Sequence, residues 1–121
     1  MTRLAVALGC ALVLATPALA AAPRPPARLQ VAADEFGLTL SRGSVRGGPV
    51  IVELVNFGED DHDLALRRNG GTRTYRIAVV RPGATSGLET RLRPGRYALW
   101  CTLADHRARG MRATLRVTRS G

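Results

Sequence analysis

The most restrictive feature of the sequence is a segment near its C-terminal end that contains Cys101, His106 and Met111 at the spacing Cys-x4-His-x4-Met. Thiolate and thioether sulfur atoms select copper(I), while imidazole suits copper in either oxidation state. A second histidine, His62, lies well upstream and has no evident role in a hydrophobic core. We therefore predict that these four residues hold one copper ion, and that the chain folds so that they meet.

Residues 1–20 have the pattern of a secretory signal peptide. Arg3 supplies a positive charge, residues 4–15 form an apolar run, and residues 18–20 (Ala-Leu-Ala) fit a small-residue cleavage site. The apolar run is shorter than the roughly 20 residues that a membrane-spanning helix needs. We expect export to the periplasm or out of the cell, with an uncleaved membrane anchor as the weaker alternative.

The predicted leader changes the count of sulfur residues. The chain has two Cys, two His and two Met, and the leader contains Cys10 and Met1. Small exported domains normally pair their cysteines in disulfides. Cys101 would be left without a partner in an oxidising compartment, where an unpaired thiol is prone to oxidation unless something occupies it. Ligation of copper would occupy it.

The charge of the chain limits the class of partner. The formal net charge is +9, and every basic residue is arginine. Nucleic acid is a poor candidate because aromatic residues make up only 4% of the chain and no nucleic-acid-binding motif is recognisable. An acidic protein or an anionic membrane surface fits the charge better. We expect the chain to be a monomer.

The remaining sequence predicts a Pro-rich tether at residues 21–28, followed by one domain at residues 29–119. Short apolar runs in this domain are separated by turn signals that contain Gly and Pro. Residues 50–57 are apolar at almost every position, which predicts a strand buried on both faces. Several short strands at this spacing predict an all-β antiparallel sandwich or barrel.

The alternation of side chains along the predicted strands indicates the direction in which the candidate ligands point. Side chains on a strand point to opposite faces in turn. His62, Cys101 and Met111 each share a face with the apolar residues of their own strand, so they should point into the core from strand ends. His106 should come from the loop between the last two strands, which must then fold over the end of the sandwich.

Three motifs carry a resemblance to a known family. They are Val-Asn-Phe-Gly at residues 55–58 before His-Asp-Leu at 62–64, Leu-Arg-Pro-Gly-Arg-Tyr at 92–97, and the Cys-x4-His-x4-Met segment at 101–111. With these motifs, most of residues 29–118 resembles the cupredoxins, a family of small blue-copper proteins. The spacing in the ligand loop is most similar to that of the rusticyanin and sulfocyanin type.

The resemblance implies an all-β Greek-key sandwich with a type 1 copper ion near one end. His62, Cys101 and His106 would form the trigonal plane, and Met111 would be a long axial ligand. The resemblance also implies a link between the residues after the first His and after the Cys, which are Asp63 and Thr102. Relatives often have Asn where this chain has Asp63, so here the link could be charged.

The resemblance implies an exported electron carrier that cycles copper between Cu(II) and Cu(I), with an acidic redox partner such as a cytochrome or a terminal oxidase. In cupredoxins the edge of the second His is the usual route for electrons. Arg107, Arg109 and Arg112 flank His106 and could dock that partner. An equally simple interpretation is a solvated loop in an Arg-rich protein. Tyr97 resembles the tyrosine corner of Greek-key sandwiches.

Other functions remain open at this point. A copper-handling protein that stores copper or delivers it to an oxidase would need the same donors. Zinc also binds Cys and two His, although it gives no reason for Met111. The acidic residues Asp60, Asp61 and Asp63 could suggest calcium, but they lack an EF-hand pattern. An enzyme is not expected, because two histidines cannot build a trinuclear copper cluster.

Overall fold

A computed structural model describes residues 9–119 and contains strands connected by short turns and one helical turn. In chain order the elements of this range are β1 (Ala27–Asp34), β2 (Gly37–Leu40), β3 (Ser44–Arg46), β4 (Gly48–Asn56), β5 (His62–Arg68), β6 (Thr74–Val80), β7 (Thr85–Leu92), β8 (Gly95–Trp100), α1 (His106–Arg109) and β9 (Arg112–Thr118).

The strands form two sheets that pack face to face. One sheet has the strand order β2-β1-β4-β7 and the other has the order β3-β9-β8-β5-β6. The prediction of an all-β sandwich is therefore confirmed. The expectation of antiparallel pairing holds for five of the seven strand pairs and is wrong for two, because β1 pairs parallel with β4 and β3 pairs parallel with β9. The chain passes to the second sheet at β3 before it returns at β4, and this crossover lets β1 and β4 run in the same direction.

The core lies between the two sheets and receives every second side chain of the central strands. Aliphatic side chains from both sheets are almost completely buried there, and each of them contributes about 1.5–3 kcal/mol by its removal from water. The most deeply buried include Leu29, Val31, Val52, Leu54, Leu64, Leu66, Leu99 and Leu115.

The expectation that residues 50–57 are buried on both faces is wrong. Val50, Val52 and Leu54 enter the core, but the residues between them are only partly covered. Phe57, just after the strand, is 70% exposed. No helix or further sheet of the described residues covers the outer face of this sheet, so only one face of β4 is fully desolvated.

The segment before the sandwich has no regular structure where it is described. Residues 9–26 form neither helix nor strand, and residues 1–8 of the predicted leader lie outside the described residues. Within residues 9–119 no helix is long and apolar enough to cross a membrane. The Arg46 side chain donates a hydrogen bond to the Pro25 carbonyl at 2.9 Å, which holds the end of this segment beside β3.

Tyr97 occupies the position that the sequence predicts for a tyrosine corner. Its ring is 2% exposed, and its hydroxyl donates a hydrogen bond to the Arg93 carbonyl at 2.9 Å. Burial raises the pKa of Tyr97, so the hydroxyl stays neutral and continues to donate. The bond fixes the turn before β8, the strand that leads to Cys101.

We predict that Tyr97→Phe lowers the free energy of unfolding by about 1 kcal/mol, because it removes this bond and leaves a carbonyl without its partner. Urea denaturation measures the loss. Tyr75→Phe is the matched control, because the Tyr75 hydroxyl makes only a 3.4 Å contact to the Arg91 carbonyl at the surface. Equal losses in the two variants would contradict a structural role specific to Tyr97.

Candidate metal centre

Two histidines and one cysteine meet at one end of the sandwich. His62 begins β5, Cys101 directly follows β8, and His106 begins α1. One ligand atom from each side chain can be chosen so that all three lie within 4.8 Å of one another. The Cys101 sulfur lies 3.6 Å from Nδ1 of His106, and the two imidazole rings are 5.2 Å apart between centroids. The structure thus brings together three of the four residues that the sequence predicts as ligands, with all three buried.

Met111, the fourth predicted ligand, is completely buried in the same core cluster as Cys101. Backbone hydrogen bonds close the loop that joins these residues. The Cys101 amide donates to the Met111 carbonyl at 3.1 Å, and the Met111 amide donates to the His106 carbonyl at 3.0 Å. The loop therefore presents its sulfur and nitrogen donors from a fixed backbone.

The donors differ in their contact with solvent. His62 and Cys101 are 0% exposed, whereas His106 is 9% exposed at the end of the molecule. The ring of Phe36 packs against His106 with 5.1 Å between centroids. The predicted loop thus contains one helical turn, and this turn carries His106 over the end of the sandwich.

The donor set fits a soft metal ion. Nδ1 of His62 is completely buried and has no hydrogen-bond partner. A buried nitrogen without a partner costs about 1–3 kcal/mol, and a bound cation would satisfy it. Sulfur and imidazole donors are the ligands that copper prefers, and Zn²⁺ accepts the same histidine and cysteine donors.

Burial also affects the thiol. Removal from water raises the pKa of Cys101, so the metal-free side chain is a neutral group within the core. A metal ion has to displace the thiol proton in order to bind sulfur.

Asp63 and Thr102, the predicted link between the ligand segments, are in contact. The Asp63 carboxylate accepts a hydrogen bond from the Thr102 amide at 2.6 Å and another from the Thr102 hydroxyl. Each of these residues directly follows a candidate ligand, so the link holds His62 and Cys101 in register. Bonds to a charged acceptor contribute more than neutral ones.

Asn56 explains part of the motif at residues 55–58. Its side chain is 0% exposed and donates to the carbonyls of Asp60 and Val80 at 2.8 and 2.9 Å. Its carboxamide oxygen accepts a hydrogen bond from the Gly58 amide at 2.8 Å. Asn56 therefore shapes the loop that leads from β4 to His62.

Glu35 is a contact of the site that sequence reasoning missed. It lies in the turn between β1 and β2, and its carboxylate oxygen is 2.9 Å from Nε2 of His62. The same carboxylate accepts hydrogen bonds from the amides of Asp60 at 2.7 Å and Glu59 at 3.0 Å. These bonds, with that of Asp60 the largest cause, lower the pKa of Glu35. Glu35 and His62 are 27 positions apart, so no local pattern in the sequence links them.

Of the three predicted docking arginines, Arg109 lies beside the site, whereas Arg107 and Arg112 lie by Trp100 on the outer face of β8 and β9. The Arg109 guanidinium stands 3.9 Å from the centroid of the Phe36 ring, and that of Arg107 stands 4.5 Å from the Trp100 ring. Arg112 is exposed at the start of β9. Two of the three are thus stacked on aromatic rings and not freely solvated.

The carboxylates of the acidic segment do not cluster with one another in the described residues. The Asp60 carboxylate is 54% exposed and lies 4.0 Å from Nε2 of His106, while that of Asp63 is bound to Thr102. Within residues 9–119 the only group of three close His, Cys, Asp or Glu donors is the one formed by His62, Cys101 and His106.

No protein-family model matches the chain, and no curated protein sequence matches it. Solved structures do match. Auracyanin B is 22% identical with a TM-score of 0.63, over 80% of this chain and 93% of that chain. Auracyanin A, a "blue" copper protein from Chloroflexus aurantiacus, is 13% identical with a TM-score of 0.62, over 78% of this chain and 100% of that chain. A multicopper oxidase is 16% identical with a TM-score of 0.60, and the match covers 78% of this chain but only 46% of that chain.

At these identities the likeness concerns the path of the backbone. The matched auracyanins are cupredoxins, and their sandwich extends over nearly their whole length. The similarity in ligand-loop spacing to rusticyanin and sulfocyanin stays a prediction. From the order of its strands and from these matches, the chain has the cupredoxin fold.

Proposed function

We propose that this protein binds one type 1 copper ion and carries single electrons between redox partners. The observation that carries the proposal is the meeting of His62, Cys101 and His106 within 4.8 Å at one end of the fold, with Met111 buried in the same cluster. Bound copper would supply a one-electron couple between Cu(II) and Cu(I). The auracyanin A description as a "blue" copper protein supports the same choice of metal.

The way the donors are mounted suits electron transfer. Copper(I) prefers few, soft ligands and copper(II) prefers tetragonal geometry, so a rigid site between the two requires little rearrangement. His62 and Cys101 are attached to strand ends, and the bonds between Asp63 and Thr102 hold the two segments together. A site on regular elements is held more precisely than one on a free loop.

The exposure of the donors suggests where electrons enter and leave. His106 is 9% exposed, while His62 and Cys101 are sealed in the core. We infer that the partner meets the edge of His106. Arg109 stands beside this edge, over the Phe36 ring that packs against His106. Together with Arg107 and Arg112 on the neighbouring outer face, it would attract an acidic redox protein.

We further propose that the protein is exported through its leader and catalyses no substrate reaction. The described residues contain a single candidate metal cluster, whereas copper oxidases need additional copper centres for turnover. The matched multicopper oxidase has about twice the length of the matched region, so most of that chain has no counterpart here.

A titration of the metal-free protein with Cu(II) tests the proposal. We expect a strong blue thiolate-to-copper absorption band that saturates at one equivalent and bleaches reversibly with ascorbate. Cys101→Ser should abolish the band. In a chain that retains its leader, Cys10→Ser should leave the band unchanged, because Cys10 is exposed and is not one of the clustered donors.

A blue Cys101→Ser protein would refute the ligand assignment. A colourless wild-type product with an oxidised thiol would refute the electron carrier and favour copper(I) delivery or zinc binding. A blue protein that passes its copper rapidly to a chelator would favour delivery as well.

A second prediction concerns Met111→Leu, which nearly conserves side-chain volume and should keep the fold. We expect copper to remain bound and the reduction potential to rise, because the site loses one ligand and copper(I) prefers fewer ligands than copper(II). A tenfold shift in relative affinity corresponds to about 59 mV, and redox titration resolves it. Leu115→Met, farther along β9, makes the reverse change away from the ligands and should leave the potential unchanged. Equal potentials in wild type and Met111→Leu would contradict axial ligation.

A further inference from the structure

We propose that Glu35 is a positioning residue of the metal centre. It selects the nitrogen that His62 offers to the metal, and its negative charge favours the oxidised ion. The selection of the nitrogen concerns the metal-free protein and does not depend on the proposed copper site. The effect on the metal rests on the proposed copper site.

The first step is the hydrogen bond between Glu35 and His62. An ionised carboxylate can only accept, so Nε2 of His62, at 2.9 Å, has to carry the proton. In the neutral ring Nδ1 is then left with a free lone pair, and it is the buried nitrogen without a partner. The contact therefore fixes one tautomer of a completely buried ring.

The second step is that the carboxylate is itself held in place. The amides of Glu59 and Asp60 donate to it at 3.0 and 2.7 Å. Gly58 lies so close to it that any side chain there would overlap the carboxylate oxygens. Glu35 thus joins the turn after β1, the loop before β5 and the ring of His62 into one unit.

The third step concerns charge. The side chain of Glu35 is 25% exposed and contacts the His62 ring, which is 0% exposed. The negative charge of Glu35 therefore acts on the site partly across protein, where electrostatic interactions are stronger than in water. A negative charge one imidazole away from a metal stabilises the doubly charged ion more than the singly charged ion. Glu35 should therefore lower the reduction potential, in addition to orienting the ring.

If Glu35 only held the loop at residues 58–60, its removal would leave the tautomer of His62 unchanged. If Glu35 also positions the ring, its removal changes the tautomer. Two-dimensional long-range proton–nitrogen NMR of the metal-free, nitrogen-15-labelled protein reports the tautomer directly. We expect wild-type His62 to carry its proton on Nε2 only. In Glu35→Ala a population with the proton on Nδ1 should appear.

The matched control is Glu53→Ala. Glu53 lies on the outer face of β4 and accepts a hydrogen bond from Gln30 at 3.2 Å, so its loss should leave His62 unchanged. A wild-type His62 with its proton on Nδ1, or an unchanged tautomer in a folded Glu35→Ala protein, would overturn the selection of the nitrogen.

Glu35→Gln tests the charge, because the amide oxygen can still accept from Nε2 while the negative charge is removed. With copper bound, we expect the affinity for Cu(II) relative to Cu(I) to fall by up to about tenfold, which raises the potential by up to about 59 mV. Glu53→Gln removes the same charge at a remote surface and should leave the potential unchanged. Equal potentials in the two variants would overturn the effect of charge.

The outcomes separate this inference from the proposed function. A protein that binds no copper would refute the electron carrier, and the NMR experiment would still decide whether Glu35 sets the tautomer. If Glu35→Ala does not fold, the tautomer in wild type decides the question. A mixed tautomer in wild type would then count against the proposal.

Discussion

The burial of two imidazoles and a thiol at one end of the sandwich is the constraint on which the rest of the site depends. His62 and Cys101 are 0% exposed, so water cannot compensate for a displaced or unpaired donor. Their positions follow from the pairing of β5 with β8, in which Ala65 lies opposite Trp100. His62 and Cys101 then lie at the same end of neighbouring strands, and the loop to Met111 closes over them.

Polar side chains secure this end of the fold, because the pairing of β5 with β8 ends at Ala65 and Trp100, before His62 and Cys101 are reached. Asp63 joins the two ligand segments through Thr102, and Asn56 shapes the loop that leads to His62. Glu35 connects that loop with the His62 ring. The links of Asp63 with Thr102, of Glu35 with His62 and of Asn56 with Val80 each join segments remote in sequence, so the site is held by the tertiary structure and not by any single loop.

The sequence predicted the parts of the site that depend on local periodicity. The alternation of side chains placed His62, Cys101 and Met111 on the inward faces of their strands, and the structure has all three buried. The sandwich followed from short apolar runs between turn signals. The resemblance to a family supplied the Asp63–Thr102 link, which spacing alone does not imply.

The features that sequence reasoning missed depend on long-range geometry. Nothing near Glu35 indicates a contact with a histidine 27 positions away. The parallel pairing of β1 with β4 depends on a crossover between sheets. The outer face of β4 is open because no helix or further sheet of the described residues packs against it. Composition cannot separate a half-buried apolar strand from a fully buried one, so the prediction for residues 50–57 was wrong.

The most direct test of the central claim is a crystal structure of the copper-loaded protein with anomalous data collected at the copper edge. The account predicts one anomalous peak, bounded by Nδ1 of His62, the sulfur of Cys101, the His106 ring and the sulfur of Met111. It also predicts that the backbone of the ligand segments matches that of the metal-free protein. A peak at the acidic loop of residues 59–61, or a site that forms only after these segments rearrange, would contradict it.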